Sequence, residues 1–138
     1  FALRESVPAH VTPTPRWTAF NEAIQAGAVA TDLLDSPQEY DPEIVYFAED
    51  LDRYGKDLEF RMERTDGTTF CTRFSSSDFP VATRWLLHNA DQKTASFVLP
   101  GTSRPEGFLA AQAAGTLVEL APGQSRTFHV STGIKEEA

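Results

Sequence analysis

The residues with the most evident chemical potential lie in the loop PGTSRPEG at positions 100–107, which carries Arg104 and Glu106. A glutamate in a loop can act as a general base or hold two hydroxyl groups of a ligand. An arginine can bind hydroxyls, a carboxylate or a sulfonate through its planar guanidinium. Ser103 and Glu106 also have capping-box spacing, in which the serine caps a helix and the glutamate returns to the serine backbone N–H. The loop therefore predicts a helix start, and Glu106 can combine this role with a chemical one.

A second group of candidates lies in the segment VATRWLLH at positions 81–88. Strand alternation places Trp85 on one face and Arg84 and His88 on the other. Trp85 can stack on the apolar face of a pyranose ring. The neighbouring residues on its strand face are mostly apolar, however, which favours packing in the core. For Arg84, a surface ion pair weighs evenly against ligand binding. His88 is the best acid–base candidate among the histidines, against the simpler interpretation of a solvated or hydrogen-bonded imidazole.

The remaining titratable residues do not form a motif with known spacing. The three histidines are scattered and Cys71 lies near none of them in sequence, so no metal site is predicted. Glu49, Asp50 and Asp52 form an acidic cluster without EF-hand spacing, which we interpret as a solvated turn. No cofactor is predicted.

Composition limits the class of protein. The chain has 138 residues, of which 41% are hydrophobic, so it is long and apolar enough for one packed domain. Its net charge of −8 argues against nucleic acid or an anionic membrane as a partner. No apolar run approaches a membrane span and no signal peptide is visible, so we expect a cytoplasmic protein.

The hydrophobic pattern predicts three regions. Residues 1–40 form an extended connector, with a short helix over 17–27 that stops at Gly27. Residues 41–134 form a β-sandwich portion, and 135–138 a polar tail. About seven short strands separated by turn signals predict an all-β, antiparallel sandwich with one or two short helices.

Two details of the strands can be checked. Alternation in residues 58–63 and the turn signal at Asp66-Gly67 predict a hairpin. A two-residue loop sets Phe60 opposite Arg73, whereas a three-residue loop sets it opposite Phe74, which we prefer. Towards the C-terminus we predict a strand over 93–99, a helix opening at Ser103 and ending at Gly115, and strands over 117–120 and 125–132.

Four segments carry a family resemblance. PGTSRPEG, GTLVELAPGQSRTFHVSTGI, YDPEIVYFAEDL at 40–51 and FPVATRWL at 79–86 resemble, in the same order, the C-terminal half of galactose mutarotase-like proteins. The resemblance covers roughly residues 37–134 and is nearest to the relatives of aldose 1-epimerase. It implies part of a larger β-sandwich, which an N-terminal half or a partner chain completes. It also implies a sugar ligand, interconversion of sugar anomers and no redox cofactor.

The resemblance also assigns roles, with one departure. At the position where the resemblance places the general base, this chain has Leu99, whose side chain cannot accept a proton. Either Glu106 or a residue from the missing half replaces it, or the domain binds sugar without catalysis, as a binding module or structural subunit. Under the enzymatic reading, the predicted catalytic residues are Glu106 as base and His88 as auxiliary acid. The predicted substrate-binding residues are Arg104, Arg84, Trp85, Glu43 and Tyr46, the last two by resemblance alone.

Overall fold

The computed structural model describes residues 15–29, 40–88, 91 and 97–135. The predicted connector before residue 15 and most of the polar tail, 136–138, lie outside this part. The elements, in chain order, are α1 (Pro15–Gln25), β1 (Tyr40–Ala48), a short 3-10 helix (Leu51–Tyr54), β2 (Asp57–Glu63), β3 (Thr69–Ser75), β4 (Val81–His88), β5 (Phe97–Gly101), α2 (Phe108–Ala113) and β6 (Val130–Lys135). Neither of the described α-helices has the length and apolar character that crossing a bilayer would require.

The strands form two antiparallel sheets. The first sheet has the order β1-β4-β5 and the second has the order β2-β3-β6. Residues 49–56, which include the 3-10 helix, join β1, an edge strand of the first sheet, to β2, an edge strand of the second. The prediction of an all-β sandwich with one or two short helices is confirmed.

The core between the sheets is small and aromatic. Leu51, Phe74, Phe79 and Ala82 are all buried and form one cluster. The Phe74 ring meets Phe79 edge-on at 5.8 Å and stacks on Phe60 at 5.5 Å. Such aromatic pairs add about 0.5–1.5 kcal/mol each beyond the area they bury. Because Ala82 belongs to this cluster, the face of the first sheet that carries Ala82 is its inner face.

The β2–β3 hairpin differs from both predicted registers. Phe60 lies opposite Thr72, and Phe74 lies opposite Leu58. Residues 64–68 form the loop, in which the backbone N–H of Arg64 donates to the carbonyl of Thr68. Both short-loop predictions were therefore wrong, because the longer loop closes through its own hydrogen bonds. The two phenylalanines still share a face, since the register shift is even.

Both α-helices end at a glycine with positive φ. At α2, Gly115 has φ of 67°, its N–H donates to the carbonyl of Gln112, and the N–H of Thr116 donates to Ala111. This is a Schellman motif, and it confirms Gly115 as the predicted stop. The start of α2 differs from the prediction, because the helix begins at Phe108 and its N-cap is Gly107, without a side-chain cap.

The chain from 116 to 129 contains no strand. The predicted strand over 117–120 was therefore wrong, and the last strand begins at Val130 rather than at residue 125. The turn at 121–123 is present: Gly123 has φ of 78°, and the N–H of Gln124 donates to the carbonyl of Ala121. No neighbouring strand among the described residues pairs with this segment, which explains its irregular backbone.

Candidate functional site

Arg104 lies at the centre of the polar cluster that the fold assembles. Its guanidinium carbon lies 4.3 Å from the centre of the Phe47 ring, which is 4% exposed. Its Nη2 donates to Oε1 of Glu106 at 2.8 Å, and its Nη1 lies 3.9 Å from Oε1 of Glu49. The guanidinium of Arg104 therefore lies over an aromatic ring and pairs with two carboxylates. We call Phe47, Glu49, Arg104 and Glu106 the Arg104 cluster.

A tight turn after β5 brings Arg104 to this place. A Cβ atom at Gly101 would lie only 2.9 Å from the backbone carbonyl oxygen of Ser103. Real Cβ atoms do not approach an oxygen this closely, so the turn requires glycine. The backbone N–H of Glu106 then donates to the carbonyl of Arg104 at 2.8 Å, which folds the loop back on itself.

Glu106 makes an ion pair instead of a helix cap. The capping-box interpretation was wrong, because α2 starts one residue after Gly107 and receives no side-chain cap. Arg104 is one residue nearer to Glu106 in sequence than Ser103 is. Its guanidinium also offers a charge-assisted hydrogen bond, which is stronger than a bond from the neutral backbone N–H of Ser103. Only Oε1 of Glu106 is engaged within the described part of the chain. Glu106 therefore keeps one oxygen for another donor.

The strand register separates the predicted site residues into two groups. Phe47, Thr83 and Leu99 lie opposite one another on the outer face of the first sheet. Trp85 shares this face, two residues beyond Thr83, and is partly buried. Trp85 is thus on the side of the sheet that carries the Arg104 cluster. Leu99, at the position that the resemblance gives to the base, is 46% exposed there.

Two other predicted residues lie on the inner face. Arg84 and His88 share the strand face of Ala82, and both are partly buried. Tyr46 lies opposite Arg84 in the register, and Glu43 also lies in β1. The side chains of Tyr46 and Glu43 are outside the described part of the structure.

His88 and Glu106 are not brought together. His88 pairs with Tyr40 at one end of β1, whereas the Arg104 cluster covers Phe47 near the other end. Five residues separate His88 from Thr83, the partner of Phe47, which is about 16 Å along an antiparallel strand. A single sugar carbon cannot contact both the imidazole and the Glu106 carboxylate across such a distance.

Beside the Arg104 cluster, the adjacent edges of the two sheets enclose a cleft of about 340 Å³. Its walls include Phe47 and Glu49, which it shares with the cluster. The other lining residues are Ala48, Asp50, Leu51, Arg53, Tyr54, Leu58, Glu59 and Phe60. The volume lies at the lower end of the range for small-molecule sites, which run from about 300 to 1,000 Å³.

Two residues at the cleft carry unusual features. Tyr54 is 69% exposed, and the guanidinium carbon of Arg53 lies 5.2 Å from the centre of its ring. Asp50 adopts the left-handed conformation, with φ of 52° and ψ of 47°, which aspartate tolerates better than most residues. An exposed aromatic ring and an outward carboxylate thus lie within four residues of each other.

Glu59 lies in the cleft wall, and two arginines hold its carboxylate. Its two carboxylate oxygens accept hydrogen bonds from Nε of Arg61 and from Nε of Arg73. These bonds lower the pKa of Glu59, the one from Arg61 most, so the carboxylate stays ionised at neutral pH.

Sequence reasoning missed the cleft. The acidic residues at 49–52 predict only a solvated turn, and Tyr54 is not among the predicted site residues. The acidic residues of YFAEDLDRY, which have aromatic residues on both sides, are the signal that could have indicated it. Across the described ranges, His, Cys, Asp and Glu residues do not gather into a group of three that could hold a metal ion.

Comparison with known proteins adds one match. A family model described as a domain of unknown function, DUF4432, matches residues 5–134. No curated protein and no solved structure matches the chain significantly. The cleft and the Arg104 cluster therefore supply the structural basis for a function.

Proposed function

The chain belongs to the DUF4432 family, a domain of unknown function, and from this premise we propose that it is a sugar-binding domain of the galactose mutarotase-like type, which holds a free aldose in the cleft beside the Arg104 cluster. The resemblance of four sequence segments to that superfamily supports this proposal. So does the antiparallel sandwich, which is the architecture that the resemblance implies.

The observation that carries the proposal is the composition of the cleft. A pyranose presents hydroxyl groups around its rim and apolar C–H groups on its face. The cleft offers carboxylates from Glu49 and Asp50 beside the exposed ring of Tyr54. Carboxylates accept hydrogen bonds from hydroxyls, and an aromatic ring can cover the apolar face. Tyr54, rather than Trp85, takes the role of stacking platform.

A buried donor gives further support. The Nε atom of Arg104 is buried and has no hydrogen-bond partner within the described ranges. A buried donor without an acceptor destabilises the folded protein by about 1–3 kcal/mol. A ligand oxygen reaching the Arg104 cluster would supply the acceptor, so ligand binding would remove this penalty.

The proposal is tested by saturation-transfer NMR with a panel of free aldoses, followed by the affinity of the best ligand. We expect Tyr54→Ala to weaken binding about three- to tenfold, since aromatic contacts contribute about 0.5–1.5 kcal/mol. Phe108→Ala is the matched control, because Phe108 is similarly exposed, at 66%, but does not line the cleft. An unchanged affinity in Tyr54→Ala would contradict the assignment of the platform.

Aldose 1-epimerase activity is the second candidate. One observation favours it: Glu106 keeps Oε2 without a partner in the described part of the chain, at the margin of the proposed sugar site. An ionised carboxylate with one oxygen held by arginine can accept a proton with the other. The acid would then come from a group other than His88.

Exchange NMR separates the two candidates. Faster interconversion of anomers that disappears in Glu106→Gln would establish the enzyme. We expect sugar binding without accelerated exchange, because Leu99 replaces the family base and His88 is remote. The measurement compares anomer exchange rates with and without protein on the same ligand.

A further inference from the structure

The charges around the cleft bear on which sugars it accepts. We infer that the cleft admits neutral and aminated sugars and discriminates against sugar acids and sugar phosphates, with Asp50 as the residue that sets this preference. The inference deepens the proposed function and rests on it. It narrows the ligand classes that the arginines alone would allow.

The cations near the cleft are already engaged. Nη2 of Arg104 donates to Glu106 at 2.8 Å, and its Nη1 lies 3.9 Å from Glu49. The guanidinium of Arg53 lies over the ring of Tyr54. An anionic substituent at Arg104 would have to compete with the carboxylates that its guanidinium already holds. The buried Nε of Arg104 belongs to a guanidinium that already lies beside two carboxylates, and it therefore suits a neutral oxygen better than an anion.

The carboxylates outnumber the cations in the cleft wall. Among the described residues, Glu49, Asp50 and Glu59 line it together with a single cation, Arg53. Glu59 is compensated by Arg61 and Arg73, and Glu49 lies near Arg104. Asp50 differs, because its carboxylate is exposed and makes no ion pair with the described residues. It can accept a hydrogen bond from a hydroxyl or an ammonium group but repels a carboxylate or phosphate.

Salt does not remove this preference inside the cleft. The Debye screening length at physiological ionic strength is about 8 Å. This length is comparable to the width of a site that holds one sugar ring. A substituent bound in the cleft therefore experiences the charge of Asp50, whereas one that points into bulk solvent does not.

The experiment is calorimetric titration of the whole chain with two matched series. One contains glucose, glucosamine, glucuronate and glucose 6-phosphate, and the other contains the four galactose equivalents. In the series that binds, we expect the acid and the phosphate to bind about tenfold more weakly than the neutral sugar, or about 1.4 kcal/mol. The amino sugar should bind at least as tightly as the neutral one.

The variant Asp50→Asn tests the assigned residue. Asparagine tolerates the left-handed conformation, so the backbone is retained. We expect the difference in affinity between amino sugar and sugar acid to shrink in Asp50→Asn. Asp52→Asn is the matched control, since Asp52 lies in the same turn but does not line the cleft. If the difference in affinity between amino sugar and sugar acid shrinks by a similar factor in both variants, the assignment to Asp50 is overturned.

The remaining outcomes separate this inference from the proposed function. If a sugar acid or a sugar phosphate binds as tightly as the neutral sugar, the inference fails and the sugar-binding function stands. If no member of either series binds and the aldose panel is also inactive, the proposed function fails and the inference fails with it.

Discussion

The guanidinium carbon of Arg104 lies 4.3 Å from the centre of the Phe47 ring. This contact crosses the first sheet, since Arg104 follows β5 and Phe47 lies in β1, with β4 between them. It covers the outer face of the sheet at Phe47, which explains why this large ring is buried although β1 is an edge strand. The arginine that positions the carboxylates of Glu49 and Glu106 therefore also shields the outer face of the sheet from solvent at Phe47.

Replacing Arg104 should affect stability as well as binding. A cation–π contact of this kind contributes about 0.5–2 kcal/mol, depending on how far it is desolvated. We expect Arg104→Ala to lower the free energy of unfolding by about 1–2 kcal/mol, because it uncovers Phe47 and leaves Glu106 without its partner. Urea unfolding measures this change.

Arg104→Lys provides the internal comparison. Lysine keeps the charge but cannot hold Glu106 and cover the ring with one planar group. The free energy of unfolding of Arg104→Lys should therefore lie between that of the native chain and that of Arg104→Ala. Equal unfolding midpoints for the native chain and both variants would contradict a role for the contact.

Two glycine substitutions test the turn that presents Arg104. Gly101→Ala would place a methyl group 2.9 Å from a backbone oxygen, so the loop must move. We expect a loss of about 1–3 kcal/mol in unfolding free energy, the usual cost of overpacking, together with weaker sugar binding. Gly133→Ala is the matched control in β6, where no atom lies within 4 Å of the added group.

Gly133→Ala should leave unfolding free energy unchanged or slightly raised, since alanine restricts the unfolded chain. Thermal unfolding and affinity for the best aldose are measured for both variants. A stable Gly101→Ala chain with native affinity would show that the loop can relax without moving Arg104.

The sequence was sufficient for the fold class because alternation reports which face of a strand is buried. It was insufficient for the hairpin register. The dipeptide Asp66-Gly67 indicates a turn, but the loop also includes Arg64 and Thr68, which bond to each other. The Thr68 N–H additionally donates to Oδ1 of Asp66 at 2.9 Å. Such closing bonds depend on the three-dimensional loop and are not encoded in one dipeptide.

The candidate site was predictable only where one segment contained it. Arg104 and Glu106 were identified from their loop, although their pairing with each other displaced the predicted cap. The cleft was missed because its walls come from the end of β1, the 3-10 helix and β2, and it exists only where two sheet edges meet. No spacing within one segment indicates such a junction.

Leu86 should be among the most sensitive positions in the described core. It is fully buried in β4, at 0% exposure, whereas Leu109 in α2 is 76% exposed. We expect Leu86→Ala to cost about 2–5 kcal/mol through lost burial and the cavity that remains. Leu109→Ala should change the unfolding free energy by about 0.5 kcal/mol or less. Similar losses in the two variants would contradict the described burial.

Acid should remove the contribution of Glu59 to stability. Hydrogen bonds from Arg61 and Arg73 lower its pKa in the folded protein below the ordinary value of 4.5. A lowered folded pKa means that the stabilisation is complete at neutral pH. It declines as pH falls below that ordinary value and is lost once pH passes below the folded pKa.

The measurement is the difference in unfolding free energy between the native chain and Glu59→Gln, followed from about pH 6 to about pH 3. We expect the native chain to be more stable at the upper end and the difference to shrink towards the lower end. Glu119→Gln, at an exposed position within the segment 116–129, controls for the removal of one negative charge. A difference that grows on acidification would reverse the sign and exclude the arginine bonds as its cause.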